Sequence, residues 1–282
     1  MLAAYSTSFG LGTRVLGRGA RRDIRAVYGL VRLADEVVDT YRGPTAAVEL
    51  DELEAATDRA LATGYSSNLV VHAFGRTARH TGIGADETRP FFASMRADLQ
   101  VSAHDEASYR AYVHGSAEVV GVMCLRVFLN DGRAAGAPVC QPGARALTGA
   151  QALGAAFQKV NFLRDLGQDG SDLGRAYFPG SAPGRLDADA VAEVLADVAA
   201  DLRTARACLD ELPLRARCAV AATLALYEDL LVRLTALPPE ELADRRVRVP
   251  DLRKLVVATR AVAQTAAPGM ARAAAVRPGA VR

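Results

Sequence analysis

The sequence predicts a single all-α domain, and three observations carry that expectation. Apolar residues recur at three- and four-residue intervals through nearly every segment, the spacing that lines one face of an α-helix. Alanine-rich stretches are frequent, and β-branched residues do not alternate with polar ones over any distance. No Asn-Gly dipeptide sits between two apolar runs to form a hairpin. With 282 residues, half of them apolar, the chain can bury one large core or two modest ones. No internal repeat or long linker divides it. Residues 1–266 are therefore read as one helical domain and residues 267–282, rich in alanine, arginine, glycine and proline, as a disordered tail.

Glycine and proline set the helix limits. A first strong helix over residues 20–41 stops at Gly43-Pro44, and helices over 45–63 and 67–81 stop at Gly64 and Gly82. Segments 86–102 and 107–130 follow, the second ending before Gly132. Helix 143–167 runs to Gly167, and 187–211 halts before Pro213. Helix 214–236 presents Leu224, Tyr227, Leu230, Leu231 and Leu234 on one side, and 250–266 opens at Pro250. These segments are expected to pack as a bundle. The one long loop, 167–185, carries Arg175, Tyr177, Pro179 and Pro183 and is read as a mobile flap over a charged ligand.

Composition excludes several classes. The formal net charge is +2, and of 34 basic residues only Lys159 and Lys254 are lysines, a bias that suits phosphate but also follows from a GC-rich genome. No basic block interleaved with aromatics points to nucleic acid. Cys124, Cys140, Cys208 and Cys218 form no C-x-x-C and lie far from His72, His80, His104 and His114, so buried thiols in a reducing cytoplasm are expected. The N-terminus lacks the charged start and apolar run of a signal peptide, and no eighteen apolar residues run uninterrupted.

Two aspartate pairs stand out. Asp35 and Asp39 are four residues apart, as are Asp165 and Asp169, and at that spacing both carboxylates of a pair share one helix face. Like charges one turn apart repel, and a chain that places them twice among apolar residues is suited to multivalent cations. Oxygen ligands on rigid helices fit Mg²⁺, with Mn²⁺ as the alternative, completed by substrate phosphates. Asn161 extends the second pair to an i, i+4, i+8 stripe, and Arg32 and Arg164 set a cation beside each pair. An organic diphosphate held through metal between two facing helices is the expected ligand. Surface salt bridges on solvated helices are the competing reading of one pair alone.

These segments resemble the phytoene and squalene synthase family. Ser6-Thr7-Ser8-Phe9, the run Ala26 to Asp39 containing Tyr28-Gly29-Leu30-Val31-Arg32-Leu33-Ala34-Asp35-Glu36, and Gln158 to Asp169 carry the likeness. Tyr112 to Gly121 and Arg245-Arg246-Val247-Arg248-Val249-Pro250 are weaker echoes. The resemblance implies an isoprenoid synthase helical bundle around a central cavity, with the aspartate helices facing each other. It implies head-to-head joining of two allylic prenyl diphosphates through a cyclopropylcarbinyl diphosphate, with two C20 diphosphates giving phytoene as the leading case and the C15 homologue next. On this resemblance Asp35, Asp39, Asn161, Asp165 and Asp169 would hold the metal. Ser6, Ser8, Arg32, Asn161, Arg164, Arg175, Tyr177 and Arg246 would contact diphosphate, and Tyr28, Tyr112 and Phe9 would face the diphosphates or the carbocation.

Several positions depart from the family pattern. The chain starts almost at the serine motif, so the family's upstream helix is expected to be absent or short. Glu118 stands where glycine is common, Glu240 where a tyrosine is usual, and the spacing from Asp169 to Tyr177 differs. Squalene-forming relatives are generally longer and end in a hydrophobic anchor, so no NADPH-dependent reduction is expected. A terpene cyclase, or a non-catalytic lipid-binding or assembly protein on the same fold, are more distant readings. Location in the cytoplasm is expected, with loose association at a membrane face fitting amphiphilic substrates although no amphipathic basic helix announces it. The sequence leaves the oligomeric state open.

Overall fold

The computed structural model describes residues 12–41, 43–134, 136–166, 176–182, 185–238, 241–244 and 247–267. It is helical throughout, and among the described residues β-structure amounts to two isolated bridges, Ala103 with Ala176 and Ala182 with Arg185. The helices are α1 (Arg18–Asp35), α2 (Ala46–Thr63), α3 (Leu69–Thr81), α4 (Ala85–Gln100), α5 (Glu106–Val113), α6 (Val119–Asn130), α7 (Ala144–Arg164), α8 (Ala188–Ala207), α9 (Leu214–Thr235), the single turn α10 (Glu241–Asp244) and α11 (Asp251–Ala266). Their limits fall within a few residues of those read from glycine and proline.

Local chemistry explains the ends. Gly64 and Gly82 close α2 and α3 with φ of 76° and 78°, a left-handed conformation that costs glycine nothing sterically. Asn68 opens α3 by accepting from the amides of Val70 and Val71, and Asp105 and Asp187 cap α5 and α8 in the same way.

Two expectations change. The helix predicted to run straight to Tyr41 leaves α-geometry at Glu36 and finishes as a π-helical turn, Glu36–Tyr41; a second such turn, His114–Glu118, joins α5 to α6. The helix predicted over 143–167 ends its regular path at Arg164, with Asp165 as its cap at φ −105° and ψ 10°. Asp165 thus leaves the regular helical path that carries Asn161.

Three apolar clusters organise the bundle. The first gathers α1 to α4 and α6 around Leu30, Phe74, Phe91, Phe92 and Met123, all fully buried. The second joins α7, α8 and α9 to Leu242, Val247 and Val249. The third, smaller and aromatic, holds Tyr112, Phe162, Tyr177 and Phe178. Helices α6 and α7 cross closely because glycines face backbone: a Cβ on Gly121 would lie 2.4 Å from the Ala150 carbonyl oxygen, and one on Gly154 the same distance from that of Ala117. These pairings show the two helices to be antiparallel.

Glu106–Asn130, spanning α5, the π-helical turn and α6, is the one helical run among the described residues long and apolar enough to cross a membrane by length and composition. It passes that test although no eighteen residues are uninterrupted. More than half of its most apolar stretch is buried within the bundle, and its residues supply a wall of the central cavity. All four cysteines are free thiols; Cys208 and Cys218 are buried as expected, Cys124 and Cys140 are only half-buried by exposure, and the protein around Cys124 pushes its thiol up to about 12.

Candidate active site

The first acidic wall forms where α1 changes into its π-helical turn. Asp35 is the last α-helical residue and Asp39 lies inside the wider turn, so the pair straddles a change in helix pitch at a place where such bulges often mark function. Asp35 keeps some solvent contact, yet the protein around it and the charges of Asp39, Asp98 and Glu36 raise its carboxyl to about 7, against the opposing effect of Arg32. Arg32 makes a short contact with Glu36 one turn on, rather than serving Asp35 alone.

Asp98, on α4, is a residue that sequence reasoning missed. Its two carboxylate oxygens each accept at 2.9 Å from the Tyr112 hydroxyl, and its charge is felt at Asp35. Tyr112 is held in place because the Ser94 hydroxyl donates to its carbonyl at 3.1 Å. In addition, Gly115 lies so close to the Pro90 carbonyl that a Cβ would come within 2.1 Å of it. In the sequence Asp98 sits between arginine, alanine and leucine on an ordinary amphipathic helix, with no repeat or partner spacing to single it out.

The second wall is the end of α7. Arg164 grips Asp165 through two contacts, Nε to Oδ1 at 3.1 Å and Nη2 to Oδ2 at 2.6 Å, and the Asp165 amide donates to the Asn161 carbonyl at 2.9 Å. Tyr227 of α9 lies beside this pair; burial raises its hydroxyl while Arg164 and Asp165 act on it in opposite directions. Its ring stacks on Phe157 with centroids 3.7 Å apart.

Tyr112 links the two walls. Its hydroxyl reaches Asp98 near Asp35, and its ring lies 6.0 Å from Phe162, the neighbour of Asn161. Tyr177 stacks on Phe162 at 4.1 Å and meets Tyr112 at 5.4 Å, so its ring belongs to this aromatic wall. His104 adds a further ring at 5.0 Å from Tyr112. The stretch 176–182, expected to be part of a mobile flap, is tethered: the Ala176 amide donates to Ser102 at 2.8 Å and its carbonyl accepts from His104 at 3.3 Å. Tyr28 is half-buried against the first core cluster. Ser6, Ser8, Phe9, Asp169, Arg175, Glu240 and Arg246 lie outside the described residues.

Below the polar end opens a cavity of about 240 Å³. Ser116 and Gln158 stand at its end nearest the aspartates, and Phe128 and Ala146 at the other, with Gly121, Cys124 and Leu153 between. Twelve residues of α7 separate Gln158 from Ala146, a depth of about 18 Å at helical rise. The departure at Glu118 does not intrude on it: this half-buried carboxylate accepts from His114 Nδ1 at 2.9 Å. Among the described residues no three metal-ligating side chains converge. The residues nonetheless fit a cation, because burial first, and then the like charges of Asp39 and Asp98, raise the Asp35 carboxyl to about 7, and a bound cation would offset both effects.

A helical bundle with acidic and arginine-bearing helix ends over an apolar cavity is the architecture of the all-α isoprenoid synthases. A dehydrosqualene synthase crystal structure superposes with a TM-score of 0.77 at 19% identity over 93% of each chain. A squalene synthase from Alicyclobacillus acidocaldarius gives 0.70 at 20% identity, over 82% of this chain and 89% of its own. The family model "Squalene/phytoene synthase" matches residues 2–253, and the chain belongs to that family. Among curated relatives, phytoene synthase 1 of Arabidopsis thaliana is 30% identical over 83% of this chain and 58% of its own length. The chain thus spans about three-fifths of such plant relatives, which include a Zea mays phytoene synthase covered over 62%. The phytoene synthase of Mycobacterium bovis is 28% identical over 94% of this chain and 89% of its own length.

Proposed function

We propose that this protein is a prenyltransferase that condenses two allylic prenyl diphosphates head to head, with geranylgeranyl diphosphate as substrate and phytoene as product. The observation that carries the reading is the apolar cavity, about 18 Å deep, beneath helix ends bearing carboxylates and arginines. A chain with a charged head and a long apolar tail fits that division. The depth suits a C20 tail whose first carbons occupy the space between Asp165 and Gln158. Membership of the family and relatives named phytoene synthases support the same choice.

Mg²⁺ bound by Asp35, Asp39, Asn161, Asp165 and Asp169 would neutralise the departing diphosphate and so assist ionisation. Arg32 and Arg164 contribute fixed guanidinium forks for phosphate oxygens. The rings of Phe162, Tyr177 and Tyr112 pack into a buried aromatic cluster between the two walls that would help keep water from an allylic cation. The Tyr112 hydroxyl donates a hydrogen bond to Asp98, which makes the phenol oxygen more electron-rich beside the cationic chemistry. The first condensation expels one diphosphate and one proton and closes a cyclopropane. The second ionisation expels the other diphosphate, and the rearranged allylic cation then loses a proton to leave a central triene.

Incubation with C15 and C20 diphosphates, with and without Mg²⁺ and NADPH, tests the proposal by mass spectrometry and ultraviolet absorption of the apolar extract. A C40 triene that needs Mg²⁺ and is indifferent to NADPH is the expected result. A C30 product from C15 substrate in preference would move the protein to the dehydrosqualene branch, a product two hydrogens heavier to the squalene branch, and a cyclised monomer to the cyclases.

A further inference from the structure

Helix α11 carries apolar side chains on both sides. Ala258 is buried and Val257, Ala261 and Val262 are half-buried where the helix packs on α9. On the opposite side Leu252, Leu255 and Val256 are 77%, 54% and 55% exposed, and the same outward stripe continues through Thr259 and Ala263. Leucine and valine placed outward at helical spacing form a patch rather than scattered singles. Arg253 and Arg260, both exposed, flank the stripe along one edge.

The charge along this part of the sequence is equally uneven. From Arg245 onward the sequence has nine basic residues and one acidic residue, Asp251, whereas residues 1–244 have 25 basic and 31 acidic. The overall +2 conceals a body of net −6 and a terminal region of net +8. An apolar helix face with an arginine edge, in a basic C-terminal stretch of the sequence, has the composition of an interfacial helix. Nucleic acid is a poor match because the centre of the patch is aliphatic. The patch also starts at the ligand end of the bundle: Arg253 pairs with Asp229 on α9 at 2.9 Å, and Asp229 is two residues from Tyr227 beside Arg164 and Asp165.

We propose that the outward face of α11, Leu252, Leu255 and Val256 with Arg253 and Arg260, docks this protein on an anionic lipid bilayer, the helix lying in the plane of the headgroups. This surface is independent of which diphosphate the active site accepts, and its test uses no activity. The full chain is floated with phosphatidylcholine vesicles alone and with vesicles rich in phosphatidylglycerol, across a salt series, with light scattering on the free protein. Binding to the anionic vesicles only, weakened by salt, is expected. Leu252→Glu/Val256→Glu should lower partitioning more than about tenfold and Arg260→Ala about fivefold, since each basic residue near such a surface contributes roughly one factor of five. Melting curves check that these exposed changes leave the fold intact; should the double variant misfold, Arg260→Ala and the salt series still decide. Equal binding to neutral vesicles, no binding to either, or unchanged binding by the variants overturns the proposal. So does a wild-type dimer that the double variant converts to monomer, which would make the face a contact between copies.

Discussion

Replacing Asp35 by Asn should stabilise the metal-free protein while impairing its chemistry. The folded environment raises the Asp35 carboxyl from 3.8 to about 7. Below 3.8 the group is protonated in both states and contributes nothing; above about 7 it is ionised in both, and the full cost of burying a carboxylate, near Asp39 and Asp98, is present. Stability from this site therefore falls as pH rises from about 4 to 7. About three units correspond to roughly 4 kcal/mol, and the side chain's remaining solvent contact reduces this to about 2 kcal/mol. In a chain of this size that is about 4 to 8 °C. Thermal melts of wild type and Asp35→Asn in chelator at pH 8.5 should show the variant higher by that margin, and the gap should close near pH 4. Saturating Mg²⁺ should raise the wild type by about 2.7 kcal/mol at a hundred times its Kd, and the variant far less. A variant that melts no higher than wild type in chelator, or a gap independent of pH, would refute the reasoning.

Asp165→Ala removes both contacts from Arg164 and one proposed metal ligand, and turnover at saturating Mg²⁺ should drop about a hundredfold or more with the helix content unchanged. Near-normal turnover would remove Asp165 from the machinery. Arg32→Lys and Arg164→Lys should each raise KM while shifting the melting temperature little, because an ammonium cannot reproduce the planar fork; wild-type kinetics in both would return these arginines to salt-bridge roles. Glu118→Gly should cost about 1 kcal/mol of stability through helix propensity and the lost His114 contact, while turnover stays near wild type. A large loss of turnover at an unchanged melting temperature would show that Glu118 acts on the cavity.

The helices were legible because their stops are chemical. Gly64 and Gly82 adopt a left-handed backbone, Pro213 precedes α9, and three- and four-residue apolar spacing describes each buried face. Asp35, Arg32, Asn161, Arg164 and Asp165 stand out in the sequence as candidates for a different reason: charge repeated at helical spacing among apolar residues is costly unless a ligand offsets it. The π-helical turns at 36–41 and 114–118 were not legible. In the second the wider turn lies where Gly115 meets the Pro90 carbonyl, a demand that comes from tertiary packing rather than from local propensity.

Asp98 and α11 mark two further limits of a sequence reading, with opposite causes. Asp98 acquires meaning only when α4 and α5 bring it to the Tyr112 hydroxyl, fourteen residues away in sequence, and no spacing rule connects a carboxylate on one helix with a phenol on the next. The charge asymmetry around α11, by contrast, is fully present in the sequence, and a whole-chain net charge of +2 averages it away. What the structure adds there is orientation. Helical spacing alone reads Leu252, Leu255 and Val256 as a core-facing stripe, since a 16-residue helix with one apolar side normally buries it. Packing through Ala258 and Val257 on α9 leaves that stripe outward, with arginines at its edge, so the same spacing that predicts a core-facing side here marks an exposed one.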